Sequence, residues 1–260
     1  MNQDYFRPMA TGEIILRAFE LFRNHFAALV AIALLPQAVV LLAGVALERA
    51  GPALGGLVII LAVTIVMNAV ALSAITTAVT GAALGGTPAV SGTYSLTLRN
   101  NLLGVIVANA ITTVFIFVAM LFCMIPGLLL GGSLVRVWAI VPLIVMLVLG
   151  GMFALVVPVM VVEGRSPFAA IARSMEMIRP ELMKGIAIFT FVIAVGGLVP
   201  LLFQSIPGLG PLAPVLAAGV GAVMLPLAYT AIVLLYFSVR AAGGFDRAEL
   251  ERDLAGRLAR

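Results

Sequence analysis

Reactive side chains in this 260-residue chain gather visibly between Val161 and Gly185, V-V-E-G-R-S-P-F-A-A-I-A-R-S-M-E-M-I-R-P-E-L-M-K-G. Glu163, Arg165, Arg173, Glu176, Arg179, Glu181 and Lys184 place seven charges there, in a sequence that is only 10% charged. Such a group is either a reaction centre held between membrane helices or the charged elbow that a bilayer rejects. As an acid–base centre it lacks a histidine. The chain's one histidine, His25, follows Arg23 by two residues, a position that favours an interfacial role over an acid or base.

Other chemistries fall away more simply. HExxH, CxxC, P-loop, GxGxxG and G-x-S-x-G patterns are all missing. Gly131-Gly132-Ser133 offers a serine, but no histidine or lysine lies in an apolar run to activate it. No aspartate lies in such a run, and the single cysteine, Cys123, excludes an intrachain disulfide and a cysteine metal cluster. The chain therefore reads as non-enzymatic, with no catalytic residue, cofactor or metal expected.

The elements that carry these residues follow from composition. Hydrophobic residues make up 63% of the chain and the mean hydropathy is +1.23, well above a soluble domain. Runs of roughly 20 apolar residues can cross a ~30 Å hydrocarbon core as helices, whereas the alternating pattern of a barrel is absent. The expected class is an all-α integral membrane protein with six spans, near Phe26–Leu47, Ala53–Leu84, Leu102–Phe122, Val137–Val162, Ile186–Phe203 and Leu212–Ser238. About 25 mixed residues precede the first run with no short apolar core and cleavage site, so that span is expected to stay uncleaved. The second run is long, and Pro126, Pro142 and Pro158 offer break points, with a broken helix expected near Ile125-Pro126-Gly127.

Placing both termini in the cytosol puts 13 of the 15 basic residues on one face, leaving out only Arg49 and Arg136. That is the positive-inside pattern, and it assigns the +4 net charge to topology and not to nucleic acid. The expected location is a bacterial inner membrane.

The chain also repeats. Arg23, Arg99 and Arg179 each begin an apolar run, spaced by 76 and 80 residues, and Thr11-Gly12, Thr87-Pro88 and Ser166-Pro167 precede them by 11 to 13. I-P-G-L occurs at Ile125–Leu128 and Ile206–Leu209 as matching outer turns. The unit is an amphipathic elbow plus a two-span hairpin, repeated over about 10–84, 87–162 and 166–238, within a membrane domain of 1–242. A hydroxyl cap followed by Pro would start each elbow helix. Phe168, Ile171, Met175, Ile178 and Leu182 then fall on one face, suited to the membrane interface. A short amphipathic tail helix is expected over 243–260, with Leu250, Leu254 and Leu258 as its stripe.

V-V-E-G-R-S-P-F-A-A-I-A-R-S, followed by a last span ending L-L-Y-F-S-V-R and then G-G-F-D, resembles bacterial proteins similar to the membrane domain of glycerophosphoryl diester phosphodiesterase. The resemblance covers nearly the whole chain and implies a six-helix membrane domain, fused in some relatives to a soluble catalytic domain. This sequence departs from it in holding no such domain, where the family's chemistry resides, and in having Ser238 where relatives often carry Asp.

Polar residues in or beside the spans are the remaining candidates. Glu163 at a cytosolic boundary is expected to pair with Arg165, Arg173 or an elbow arginine from another repeat. Arg23, Arg99, Arg136, Arg179 and Lys184 are candidate lipid or structural charges. Asn68, Asn109 and Tyr229 are intramembrane polar sites, read first as interhelix hydrogen bonds. Gly81 and Gly85, Gly127 and Gly131, and Ala213, Ala217 and Gly221 have the four-residue spacing of close helix contacts. Two functions remain: a scaffold or sensor that organises membrane lipids, anionic ones first, or a membrane protein partner; or a permease with a cavity lined by Asn68, Asn109 and Tyr229.

Overall fold

The computed structural model describes residues 5–50, 54–99, 102–130, 138, 140–206, 208, 210–243, 248 and 252. Among them, every regular element is helical: α1 (Thr11–Asn24), α2 (Phe26–Ala50), α3 (Leu54–Ala83), α4 (Val90–Arg99) and α5 (Leu102–Leu130) in the first half. The second half has α6 (Ile140–Phe153), α7 (Val156–Glu163), α8 (Pro167–Ile178), α9 (Leu182–Ile193), α10 (Val199–Gln204) and α11 (Ala213–Ala242). Six stretches are long and apolar enough to cross a membrane: Phe26–Leu47, Gly55–Ala83, Leu102–Gly127, Ile140–Glu163, one within Pro167–Phe203, and Ala213–Ala242. The chain is thus built as a multi-pass membrane protein.

Chain order is also spatial order. α2 touches α3, α3 touches α5, α5 touches α6, α6 touches α9, α9 touches α11, and α11 returns to α2. α11 also reaches α3, and α3 reaches α7, so contacts cross the middle of this closed circuit.

Burial is uneven along the helices. Leu29, Ile32 and Ala33 of α2, Val105 and Ala108 of α5, and Ile188 of α9 are buried early in their helices. Ala69 to Ala83 of α3, Leu155 to Val162 around α7 and Leu225 to Val239 of α11 are buried late in theirs. Because successive spans run in opposite directions, all of these lie at one end, the end that carries α1, α4 and α8. At the far end Leu42, Leu57, Val58, Phe122, Leu201 and Leu216 face outward, as lipid-covered side chains can at no hydrophobic cost.

Prolines account for two of the irregularities. Pro158 cannot donate to the carbonyl of Ala154 and its ring crowds it, and the fourth span turns at Ala154–Leu155 between α6 and α7. Pro200 stands in the same relation to Gly196, inside a π-helical segment, Ala194–Leu198, that joins α9 to α10. The break expected at Ile125-Pro126-Gly127 does not occur: α5 runs through it to Leu130. The first I-P-G-L is therefore helix interior and not an outer turn, while Pro207 and Leu209 of the second lie outside the described residues.

In α2, Pro36 leaves the carbonyl of Ile32 without its helical donor, and the hydroxyl of Tyr94 from α4 donates to it at 2.5 Å. Burial pushes the Tyr94 phenol up to about 12, so it remains a donor across the physiological range. Replacing Tyr94 by Phe removes the hydroxyl that serves a carbonyl of a fully buried residue. The expected loss is about 1–2 kcal/mol, read as a lower melting midpoint of purified protein in detergent; an unchanged midpoint would show that the bond carries no net stability.

The elbows differ from their expected grammar. α8 begins at Pro167 after Ser166, but Ser166 makes no side-chain capping bond. α4 begins at Val90 and not at Thr87-Pro88, and Ala10 holds the cap position of α1. The apolar stripe also divides: Ile178 turns inward, while Phe168 is 73% exposed.

One close contact of small residues lies where the four-residue spacing did not point. A Cβ on Gly81 or Gly85 would meet nothing within 4 Å, and Gly85, at φ +90°, instead closes the turn after α3. The near approach is between α6 and α9, where Gly151 lies against the backbone of Gly185 and Ile186. Gly127 does make a close contact, against Trp138. The tail helix and Gly131 lie outside the described residues, apart from Ala248 and Arg252 of the tail, where Arg252 Nε donates to the Ala248 carbonyl at 3.2 Å.

Candidate functional site

α7 ends at Glu163 because Gly164 adopts the left-handed conformation, φ 72°, with its N–H returned to the Met160 carbonyl. That reversal brings Arg165 beside the carboxylate it follows, and Pro167 then starts α8 so that Arg173 lies across from it. Glu163 has a side chain only 8% exposed. Its Oε2 accepts from Arg165 Nε at 2.7 Å and lies 3.9 Å from Arg173 Nε.

The other carboxylate oxygen faces α11. Glu163 Oε1 accepts from the Tyr236 hydroxyl at 3.2 Å and stands 3.8 Å from Arg240 Nε. Arg240 Nη1 in turn donates to the Tyr236 oxygen at 2.7 Å, with its guanidinium 5.7 Å from the ring centre. One carboxylate therefore holds three arginines from three elements, and joins the end of α7 to α8 and α11. Arg173 also donates from Nη1 to Glu176 Oε2 at 3.1 Å, where the Glu176 side chain is 72% exposed.

The amino-terminal segment covers α11 next to this node. Ser238 Oγ accepts from the Met9 N–H at 2.8 Å and lies 3.3 Å from the Met9 carbonyl as its donor. Phe6 stacks at a tilt against Phe237, centroids 5.1 Å apart. The hydroxyl that stands in place of the Asp suggested by the resemblance thus ties down backbone, without adding a charge to the node. On α1, Glu13 pairs with Arg7, and Arg17 pairs with Glu20 at 3.3 Å.

The remaining candidates are dispersed. Arg23, Arg99 and Arg179 are exposed at the junctions of α1 with α2, of α4 with α5, and of α8 with α9. Lys184 reaches Glu181 at 3.4 Å. Asn109 donates to the Ile65 carbonyl at 3.0 Å, joining α5 to α3. Asn68 is half-buried, Tyr229 is buried, and Arg136 lies outside the described residues. A recess of about 350 Å³ on the first half of α11 is lined by Val215, Leu216, Gly219, Val220, Val223 and Met224.

Local reading of the sequence found Glu163, Arg165 and Arg173 and missed Tyr236 and Arg240, which lie 73 and 77 residues further on. The signal was present in L-L-Y-F-S-V-R, a polar pair four residues apart at the end of an apolar helix. Tyr236 and Glu163 do converge within hydrogen-bond reach, the requirement for acid–base work. Both are nevertheless occupied with each other and with arginine, and Tyr236 is fully buried. No group of three His, Cys, Asp or Glu side chains is placed to hold a metal among the described residues. No family model matches the chain, and neither a curated protein nor a solved structure does.

Proposed function

We propose that the protein is a non-enzymatic component of a bacterial inner membrane, both termini cytosolic, that organises lipids or partner proteins through basic elbows at its cytosolic end. The three elbow-plus-hairpin units, about 10–84, 87–162 and 166–238, would be related by an axis along the membrane normal. The observation that carries the reading is the coincidence of two exposed features on the elbows. Arg23, Arg99 and Arg179 are exposed where each elbow meets its apolar helix, and Leu16, Phe19, Leu98 and Phe168 project from the same short helices. Basic charge beside outward apolar side chains suits the boundary between anionic headgroups and acyl chains, at about 1 kcal/mol per cation. The permease reading has less support: Asn109 is committed to the Ile65 carbonyl, Tyr229 is buried, and the recess on α11 has an apolar lining.

Polymer-excised native discs offer the test. Changing Arg23, Arg99 and Arg179 together to Gln should lower the enrichment of anionic over zwitterionic lipid around the protein severalfold, measured by mass spectrometry of the extracted lipids. Identical lipid profiles for wild type and triple variant would contradict the proposal.

A further inference from the structure

Two guanidiniums share one oxygen in the Glu163 node. Arg165 Nε occupies Glu163 Oε2 at 2.7 Å, and Arg173 Nε, 3.9 Å from that oxygen, is buried without a hydrogen-bond partner. Glu163 does not bond both: Oε2 is taken by Arg165, and its other oxygen faces Tyr236 and Arg240. Arg165 makes no bond through its terminal nitrogens among the described residues, and its side chain is 44% exposed. Side by side, the two arginines present unmatched N–H donors, and with Arg240 the guanidiniums of the node exceed Glu163 and Glu176 by one positive charge.

We propose that the Arg165–Arg173 pair binds the phosphodiester of one membrane phospholipid. A phosphodiester carries one negative charge over two free oxygens, which matches the forked donors of guanidinium better than a point cation would. The location specifies the source. Glu163 ends an apolar helix, and Phe168, three residues beyond Arg165 and 73% exposed, stands ready to enter the acyl layer under a bound headgroup. The exposed Ser166 hydroxyl, which caps no amide of its own helix, lies between Arg165 and Phe168 as a further donor.

The proposal rests on the lipid-organising reading and narrows it to one place. Its test is a titration of the full chain in mild detergent with short-chain phosphatidylglycerol, following the melting midpoint, which rises as a ligand binds the folded state. Arg165→Gln should weaken the apparent affinity about tenfold, the worth of one charge-assisted bond, and Arg165→Lys should fall between. Arg252→Gln, an exposed cation outside the elbows, should leave the affinity unchanged. Equal losses for Arg165→Gln and Arg252→Gln would overturn the site but leave general lipid attraction standing. No shift with phosphatidylglycerol in the wild type would sink both. Inorganic phosphate separates the two sources: it should give no shift, and an Arg165-dependent shift matching that of the lipid would assign the pair to free phosphate instead.

Discussion

Replacing Gly151 by valine is expected to prevent the bundle from assembling, and replacing it by alanine to cost about 3 kcal/mol, the upper range for overpacking. A Cβ at Gly151 would lie 2.9 Å from the Ile186 nitrogen, 3.0 Å from the Gly185 carbonyl carbon and 3.1 Å from the Ile186 Cα. These are backbone atoms of a neighbouring helix and cannot turn aside. α9 would have to move away from α6 as a unit, carrying Ile188 out of the core. Gly150 is a useful contrast, because its added Cβ meets the Phe189 ring, a side chain that can rotate. Gly219, with nothing within 4 Å, should accept alanine without effect. Melting midpoints in detergent should therefore fall in the order Gly219→Ala, Gly150→Ala, Gly151→Ala. Equal behaviour of the three would mean that α6 and α9 do not meet at these glycines.

Glu163→Ala is the second large effect. The carboxylate shared by Arg165, Arg173 and Arg240 would be lost, leaving three like charges close together where α7, α8 and α11 meet, while Arg173 keeps its pair with the exposed Glu176. Breaking a buried ion pair by removing one partner costs roughly 3–5 kcal/mol, and the exposure of Arg165 argues for the lower figure, about 3 kcal/mol. Glu163→Gln keeps an acceptor for the Tyr236 hydroxyl and should lose less. If charge is the cause, adding Arg240→Gln to Glu163→Ala restores part of the midpoint, giving a coupling of opposite sign to the single losses. Strict additivity in this double-mutant cycle would remove the node as a unit and reduce it to separate surface contacts.

How far these features could be read in advance depended on the range of the interactions. The six apolar helices were plain because uncharged runs of this length have few other uses, and the elbows because amphipathic spacing is local. Glu163 with Arg165 and Arg173 was equally local. Tyr236 and Arg240 reach the same carboxylate only because α11 lies inside the bundle along most of its second half, and nothing in the periodicity of α11 separates it from the other apolar helices. Gly151 and Gly185 escaped for a related reason. Each contact needs one small residue on each helix, so neither helix shows the repeated spacing that singled out Gly81 and Gly85, which in fact serve a turn. Pro126 and Pro158 teach the same lesson about backbone: both lack a donor, yet α5 continues through one and the fourth span breaks before the other. Ser166 was placed correctly as the residue before α8, but position alone did not show that its hydroxyl leaves the helix uncapped.

Native mass spectrometry of the full chain, released from the mildest detergent that keeps it folded, tests most directly whether this is a lipid-organising protein. The expected spectrum contains the polypeptide carrying discrete anionic phospholipids that survive gentle activation. A spectrum showing only the bare polypeptide, with neither lipid nor partner protein attached, would contradict the proposed function.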